Sequence, residues 1–194
     1  SLTGTSVPRD FVELPSQIME NWASEPEVLK LYARHYLTGE VIPQQLIEKL
    51  QKSSYFNQGF ETVEYLAAAV LDMGYHNLSE GSVINVGEFE QTTLGKLGLI
   101  PEITSRYRST YFNHIFSGGY SSGYYSYIWA AILDADAFEA FRENGLFDSK
   151  TALSFRENIL SRGGTEDPMQ LYIKFRGSEP DITPLLKRRG LLEN

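Results

Sequence analysis

The 194-residue sequence contains no cysteine, which excludes disulfide bonds, thiolate nucleophiles and cysteine-ligated zinc sites. Long apolar runs are also missing: the longest, such as Leu66 to Leu71, are far shorter than the roughly 20 residues of a membrane-spanning helix. Basic residues are in the minority, with 17 Lys and Arg against 25 Asp and Glu and a net charge of −8. Because phosphate backbones are bound mainly by basic side chains, we do not expect nucleic acid as a partner. The short apolar runs likewise give no reason to expect a membrane as a partner.

Apolar residues, by contrast, are abundant. They make up 42% of the sequence, and aromatic residues make up 13%. This composition can bury a substantial core, which excludes a disordered tail and a fibrous protein. The length is close to that of one domain, so we expect a single domain over residues 1–194.

The apolar residues recur with helical spacing through almost the whole sequence, which predicts an all-α, compact multi-helix fold. No alternation of apolar and polar residues is long enough to predict a sheet. We expect helices over residues 11–23, 25–36, 42–50, 60–73, 86–97, 124–144, 149–162, 167–175 and 184–189.

Acidic residues near the start form the first pattern that could carry chemistry. Asp10, Glu13 and Gln17 are spaced i, i+3 and i+7, which places them on one face of a helix. A carboxylate in this position could be a metal ligand supported by polar neighbours. The alternative is an Asp10 that caps a helix and is followed by solvated acids. The sequence itself has no H-E-x-x-H motif that would supply further zinc ligands.

The second pattern combines a histidine, a glycine-rich tract and three tyrosines. The tyrosines are spaced i, i+4 and i+7, so a helix that extends back through the tract would line up their hydroxyls. Three phenols beside an imidazole would be hydrogen-bond donors for a developing oxyanion, and glycines would let a peptide backbone approach closely. Packing in the core is the alternative for an aromatic stripe. The residues are His114, Gly118, Gly119, Tyr120, Tyr124 and Tyr127.

These stretches are long and unusual. GTSVPRDFVELPSQ begins at Gly4 and is followed by Glu-Asn-Trp at residues 20–22, and HIFSGGYSSGYYSYIW begins at His114. The first resembles the segment downstream of H-E-x-x-H in the thimet oligopeptidase family of zinc peptidases. The second resembles that family's substrate-binding loop and helix. Residues 159–164 and 189–191 are similar to its carboxy-terminal motifs, so the resemblance covers essentially the whole chain.

The resemblance implies an all-helical, zincin-type peptidase with one zinc ion. Zinc would be held by the two histidines of H-E-x-x-H and by one glutamate, which corresponds to Glu13. Asp10, from its spacing alone, would support this ligand as a polar neighbour that does not itself bind the metal. The resemblance further implies that His114, Tyr120, Tyr124 and Tyr127 bind an oligopeptide substrate next to the glycine-rich loop. His114 and Tyr127 would stabilise the tetrahedral intermediate.

The spacing within the second motif separates the branches of this family. His114 and Tyr120 are six residues apart, which is similar to the bacterial peptidyl-dipeptidases. This favours a dipeptidyl carboxypeptidase, which removes dipeptides from the carboxy terminus of oligopeptides. An endo-acting oligopeptidase of the same family is the first alternative. A non-enzymatic helical domain that offers an aromatic groove to a peptide is the second.

The sequence departs from the family in one large respect, since both zinc-ligand histidines and the general-base glutamate are missing. They would lie just before Ser1, so the sequence reads as the carboxy-terminal part of a longer, cytoplasmic enzyme. By itself it is expected to lack peptidase activity and a tight zinc site. It is also expected to self-associate through apolar surface around Phe11, Leu14 and the tyrosine helix.

Overall fold

The structure is a computed structural model that describes residues 3–192, and helices are the regular secondary structure of these residues. This confirms the predicted all-α class. Within the described residues there is no strand, only an isolated antiparallel bridge between Arg34 and Val41. The part of the chain that the structure describes contains ten α-helices: α1 (Leu14–Ser24), α2 (Pro26–Tyr32), α3 (Gln44–Ser53), α4 (Gln58–His76), α5 (Val86–Gly95), α6 (Asn113–Phe116), α7 (Ser126–Asn144), α8 (Ser149–Phe155), α9 (Pro168–Arg176) and α10 (Thr183–Arg188).

Several helices begin or end elsewhere than the sequence predicts. Helix α2 stops at Tyr32, because Ala33 is extended and the chain then turns back so that the amide of His35 donates to the carbonyl of Glu40 at 2.8 Å. The predicted helix over 25–36 is therefore too long. Helix α7 starts at Ser126, and residues 156–160 continue α8 as a π-helix. None of the described helices combines the length and low polarity needed to span a membrane.

The chain divides into two compact units. The inserted unit consists of Asn57–Tyr127, and the flanking unit combines the described residues up to Phe56 with those from Ile128 onward. The division falls in the first turn of α7. The single domain over residues 1–194 stays a prediction.

In the flanking unit, the core forms where the segment before α1 meets α7, α8 and α9. Phe11, Leu14 and Ile18 are spaced i, i+3 and i+7, and all three are buried in this cluster. The indole of Trp22 packs edge-on against the rings of Phe138 and Phe141, with ring centroids 4.7 Å apart in both cases. Each residue of this apolar stripe directly follows one of the polar residues Asp10, Glu13 and Gln17 in the sequence. Burial of the apolar stripe therefore leaves these polar residues half-buried at the edge of the core.

The prediction of exposed apolar surface at Phe11 and Leu14 is wrong, since their exposed fractions are 6% and 0%. The cause is a pair of tight turns in which the amide of Phe11 donates to Pro8 and that of Leu14 donates to Phe11. These turns direct both side chains into the core. Large exposed apolar side chains of this unit lie instead at Tyr36, which is 87% exposed, and at its neighbour Leu37.

The inserted unit has a core of its own, built by α4, α5, α6 and the turns that follow α6. Ala67, Ala68 and Leu71 of α4 are fully buried, and Phe112 and Ile115 pack against them. The three alanines at 67–69 leave room for large aromatic rings to approach α4 closely. This core carries the histidine and tyrosines that the second sequence motif contains.

Candidate functional site

The inserted unit brings the predicted histidine and tyrosines together. The rings of Tyr120 and Tyr127 are stacked, with centroids 4.9 Å apart and an angle of 20° between their planes. The imidazole of His114 lies 6.1 Å from the ring of Tyr120 and 6.3 Å from that of Tyr127. Tyr124 completes the group, 5.9 Å from His114 and 5.3 Å from Tyr127. We call these four residues the tyrosine–histidine cluster.

The cluster is not assembled in the way the spacing predicted. Residues 117–125 form turns, so the helix does not extend back through the glycine-rich tract, and the condition under which helical spacing would line up the three tyrosine hydroxyls is not met. The tract instead folds back onto α6, where the amide of Tyr120 donates to the carbonyl of His114 at 2.9 Å. A Cβ at Gly118 would lie 2.8 Å from the Cα of His114, so only glycine fits here. Gly119 has a φ of +84°, which favours glycine as well.

Exposure divides the cluster into two pairs. His114 and Tyr127 are half-buried and so remain accessible to a ligand. Tyr120 and Tyr124 are buried, and Tyr124 belongs to the core with only 3% of its surface exposed. Burial raises the pKa of Tyr124 above its ordinary value, and the neighbouring Tyr65 and Tyr107 raise it further. Its hydroxyl therefore stays protonated and keeps a proton to donate.

Three further residues extend the cluster, and sequence reasoning assigned none of them. The ring of Tyr107 lies 5.1 Å from His114, and the ring of Tyr65 lies 5.8 Å from Tyr124. The guanidinium of Arg106 lies above the Tyr65 ring at 5.7 Å from its centroid. Tyr65 is on α4 and close to 50 residues from the motif, so no local signal marked it, whereas residues 106 and 107 lie only seven to eight positions before His114.

The four side chains of the cluster are three phenols and an imidazole, all of which can donate hydrogen bonds. Phenol hydroxyls donate one hydrogen bond each, and imidazole donates from one nitrogen when neutral and from two when charged. Donors held in a partly buried site stabilise a carbonyl oxygen as it gains negative charge. The half-buried pair of His114 and Tyr127 is the part of the cluster suited to that contact.

The first motif lies in the flanking unit. Glu13 is the last residue before α1 and already has helical backbone angles, and its carbonyl accepts from the amide of Gln17 at 3.0 Å. The Ser16 hydroxyl donates to the Glu13 carboxylate at 3.1 Å. Asp10 lies three residues earlier in a turn, so it does not cap α1, and the residue in the capping position is Glu13. Both acidic side chains are half-buried.

The acidic motif does not form a metal centre by itself. Zinc in proteins takes three or four protein ligands, drawn from His, Cys, Asp and Glu. Among residues 3–192, no group of three such side chains is arranged to hold a metal ion. Glu13 therefore offers one carboxylate, and the other described residues do not complete a zinc site with it.

The chain belongs to peptidase family M3, whose family model matches residues 1–191. This confirms the resemblance of both motifs to the thimet oligopeptidase family. Peptidases of this family are zinc metallopeptidases. The family membership thus covers the acidic motif and the tyrosine–histidine cluster together.

Individual relatives point to two kinds of peptidase within the family. The chain is 48% identical over 193 residues to dipeptidyl carboxypeptidase of Escherichia coli, which covers 98% of this chain and 28% of that protein. It is 40% identical over 190 residues to oligopeptidase A of Salmonella typhimurium, covering 96% of this chain and 28% of that protein. Saccharolysin of Saccharomyces cerevisiae is 33% identical over 189 residues, covering 96% and 26%. The chain therefore spans little more than a quarter of the length of these relatives.

Proposed function

We propose that this chain is part of a zinc metallopeptidase that releases dipeptides from the carboxy terminus of oligopeptides. The observation that carries the proposal is the tyrosine–histidine cluster within a chain of family M3. The greater identity to a dipeptidyl carboxypeptidase than to an oligopeptidase A supports the exo-acting branch. A cytoplasmic location is proposed with it and stays a prediction.

The tyrosine–histidine cluster would bind the peptide at the bond to be cleaved. Tyr127 and His114 are half-buried, so their hydroxyl and imidazole can donate to the carbonyl oxygen of that bond. The stacked ring of Tyr120 restricts the rotation of Tyr127, which keeps its hydroxyl in place. Donors that are already in position lower the barrier because they need no reorganisation as charge develops.

The glycine-rich loop would lie alongside the substrate. Gly118 and Gly119 have no side chains, so a peptide backbone can approach the loop closely at these positions. Tyr124 is buried, so its role in substrate binding would be to support the two accessible residues from beneath.

Glu13 would be one ligand of the zinc ion, with Asp10 beside it in sequence. The remaining ligands would come from residues outside these 194, since the described part of this chain contains no complete group of ligands. The Ser16 hydroxyl, which donates to the Glu13 carboxylate, would orient that carboxylate.

Product analysis tests the proposal in the intact protein that contains this chain. Two peptides of the same sequence are compared, both acetylated at the amino terminus, one with a free carboxy terminus and one amidated. A dipeptidyl carboxypeptidase releases successive dipeptides from the free peptide and cleaves the amidated one poorly. Internal cleavage of both peptides at equal rates would favour the endo-acting alternative. Binding without any product would favour the non-enzymatic peptide-binding domain.

A further inference from the structure

A buried carboxylate lies beneath the glycine-rich loop. Asp72 is on α4 and is fully buried. Its Oδ1 accepts from the backbone amide of Ser122 at 3.0 Å, and its Oδ2 accepts from that of Tyr124 at 2.9 Å. The Nδ1 of His76, one turn further along α4, lies 2.8 Å from Oδ1 of the same carboxylate. Each oxygen of Asp72 thus binds a loop residue that lies 50 or more positions further along the chain.

Burying a carboxylate is unfavourable unless its oxygens are hydrogen-bonded. Asp72 meets this condition through two loop amides and the imidazole of His76, whose side chain is 25% exposed. Hydrogen bonds to an ionised acceptor are about twice as strong as those between neutral groups. The loop amides are therefore a substantial part of what makes the burial of Asp72 favourable, and Asp72 in turn holds the loop.

The two bonds fall where the loop needs support. Ser122 has a φ of +53°, a left-handed conformation that is unfavourable for a residue with a side chain. Hydrogen bonds hold this conformation of Ser122 in place. The amides of Ser122 and Tyr124 donate to Asp72, and the amide of Gly123 donates to the carbonyl of Tyr120 at 2.8 Å. Ser121 adds a bond from its hydroxyl to the carbonyl of Ile115 at 2.5 Å.

We propose that Asp72 is a positioning residue, which holds residues 120–124 in the conformation that brings Tyr120 and Tyr124 to His114 and Tyr127. This inference rests on the proposed function for its effect on catalysis. Asp72 is buried and bonded to the backbone, so it acts on the substrate only through the loop. The tyrosine–histidine cluster is set by this long-range contact rather than by helical spacing.

Amide hydrogen exchange in the 194-residue chain measures the proposed contact directly. In Asp72→Asn, one oxygen becomes an NH₂ group that cannot accept, so one of the two loop amides loses its partner. We expect exchange at Ser122 or Tyr124 to become about 10- to 100-fold faster, and at both positions in Asp72→Ala. The amides of α4 serve as the internal reference. Asp136→Asn, which alters a buried acid bonded to Tyr172 in the flanking unit, is the matched control and should leave the loop amides unchanged.

Kinetics of the same variants in the intact peptidase give the second measurement. Loss of kcat/KM by at least tenfold in Asp72→Ala, a smaller loss in Asp72→Asn and wild-type values in Asp136→Asn would support the positioning role. Loop amides that exchange at the wild-type rate in both Asp72 variants would overturn it, whatever the activity. Faster loop exchange with unchanged kcat/KM would also overturn it. If Tyr127→Phe in the intact protein also leaves kcat/KM unchanged, the proposed function is contradicted as well.

Discussion

Replacing Arg188 by alanine should destabilise the chain strongly, because it would leave a buried carboxylate without its cation. The guanidinium of Arg188 on α10 bonds both oxygens of Asp134 on α7, one of them at 3.1 Å, and also the side-chain oxygen of Asn21 on α1 at 2.9 Å. The side chain of Asp134 is 3% exposed and that of Arg188 is 31% exposed. These bonds join three helices of the flanking unit.

The magnitude follows from that geometry. Breaking a buried ion pair by removing one partner costs about 3–5 kcal/mol, because the remaining charge is left uncompensated. The amide of Asn21 still donates to Asp134 at 3.0 Å after the change, and Arg188 was partly in contact with water, so we expect about 3 kcal/mol. Urea denaturation followed by circular dichroism measures this loss in the free energy of unfolding.

Two further variants make this test specific. Arg142→Ala removes an exposed arginine that pairs with Glu25 at 2.9 Å and Glu139 at 3.0 Å, and it should cost at most about 1 kcal/mol. Adding Asp134→Asn to Arg188→Ala removes the uncompensated charge and should recover part of the stability. Equal losses of stability in the two arginine variants, or no recovery in the double variant, would show that the uncompensated charge of Asp134 is not the cause of the loss.

Three other predictions concern acid, metal and association. Burial acts to raise the pKa of Glu90, but bonds from the amide and hydroxyl of Ser109 and the charge of Arg108 outweigh it and hold this pKa below the ordinary value. The stability gained from this carboxylate is therefore present above its unfolded-state pKa and is lost as pH falls through its lower folded-state pKa. The difference in the free energy of unfolding between wild type and Glu90→Gln should therefore disappear in acid. A constant gap from pH 7 to pH 2 would contradict this. The 194-residue chain should retain no stoichiometric zinc after dialysis against a weak chelator, because Glu13 is a single ligand. Stoichiometric zinc found by elemental analysis of the dialysed chain would contradict this. Light scattering should show self-association at high concentration through the exposed residues near Tyr36, and a monomer throughout would count against it.

Helices α4 and α7 could be predicted from the sequence. For α4 the predicted range of 60–73 lies within the observed Gln58–His76, and for α7 both ranges end at Asn144. In α4 the apolar residues at helical spacing are a local pattern that predicts the helix. In α7 nearly every residue from Ala130 to Phe141 is buried, so the helix is marked by its length and by Gly145 directly after its last residue rather than by a one-sided stripe. Helix α2 shows the limit: His35 has suitable spacing, but a turn closed by the bridge between Arg34 and Val41 ends the helix first.

The members of the tyrosine–histidine cluster could be predicted from the sequence, but the backbone conformation that brings them together could not. His114, Tyr120, Tyr124 and Tyr127 come together as expected, although a folded-back loop rather than a helix places them. The contacts that shape this loop come from Asp72, which is 50 residues away, and periodicity carries no information about such a partner. Tyr65 was missed for the same reason.

Under the proposed function, Tyr127 donates a hydrogen bond to the substrate carbonyl as its oxygen becomes negative. Tyr127→Phe in the intact peptidase removes this donor and retains the ring that stacks on Tyr120. Losing a donor of this kind costs about 2.7–4 kcal/mol, so kcat should fall by about 10²- to 10³-fold with little change in KM. Tyr125→Phe, which removes the hydroxyl of a neighbouring tyrosine that is 45% exposed, is the control and should keep the wild-type kcat. Small and equal changes of kcat in the two variants would contradict this role for the Tyr127 hydroxyl and would indicate that Tyr127 contributes only to packing.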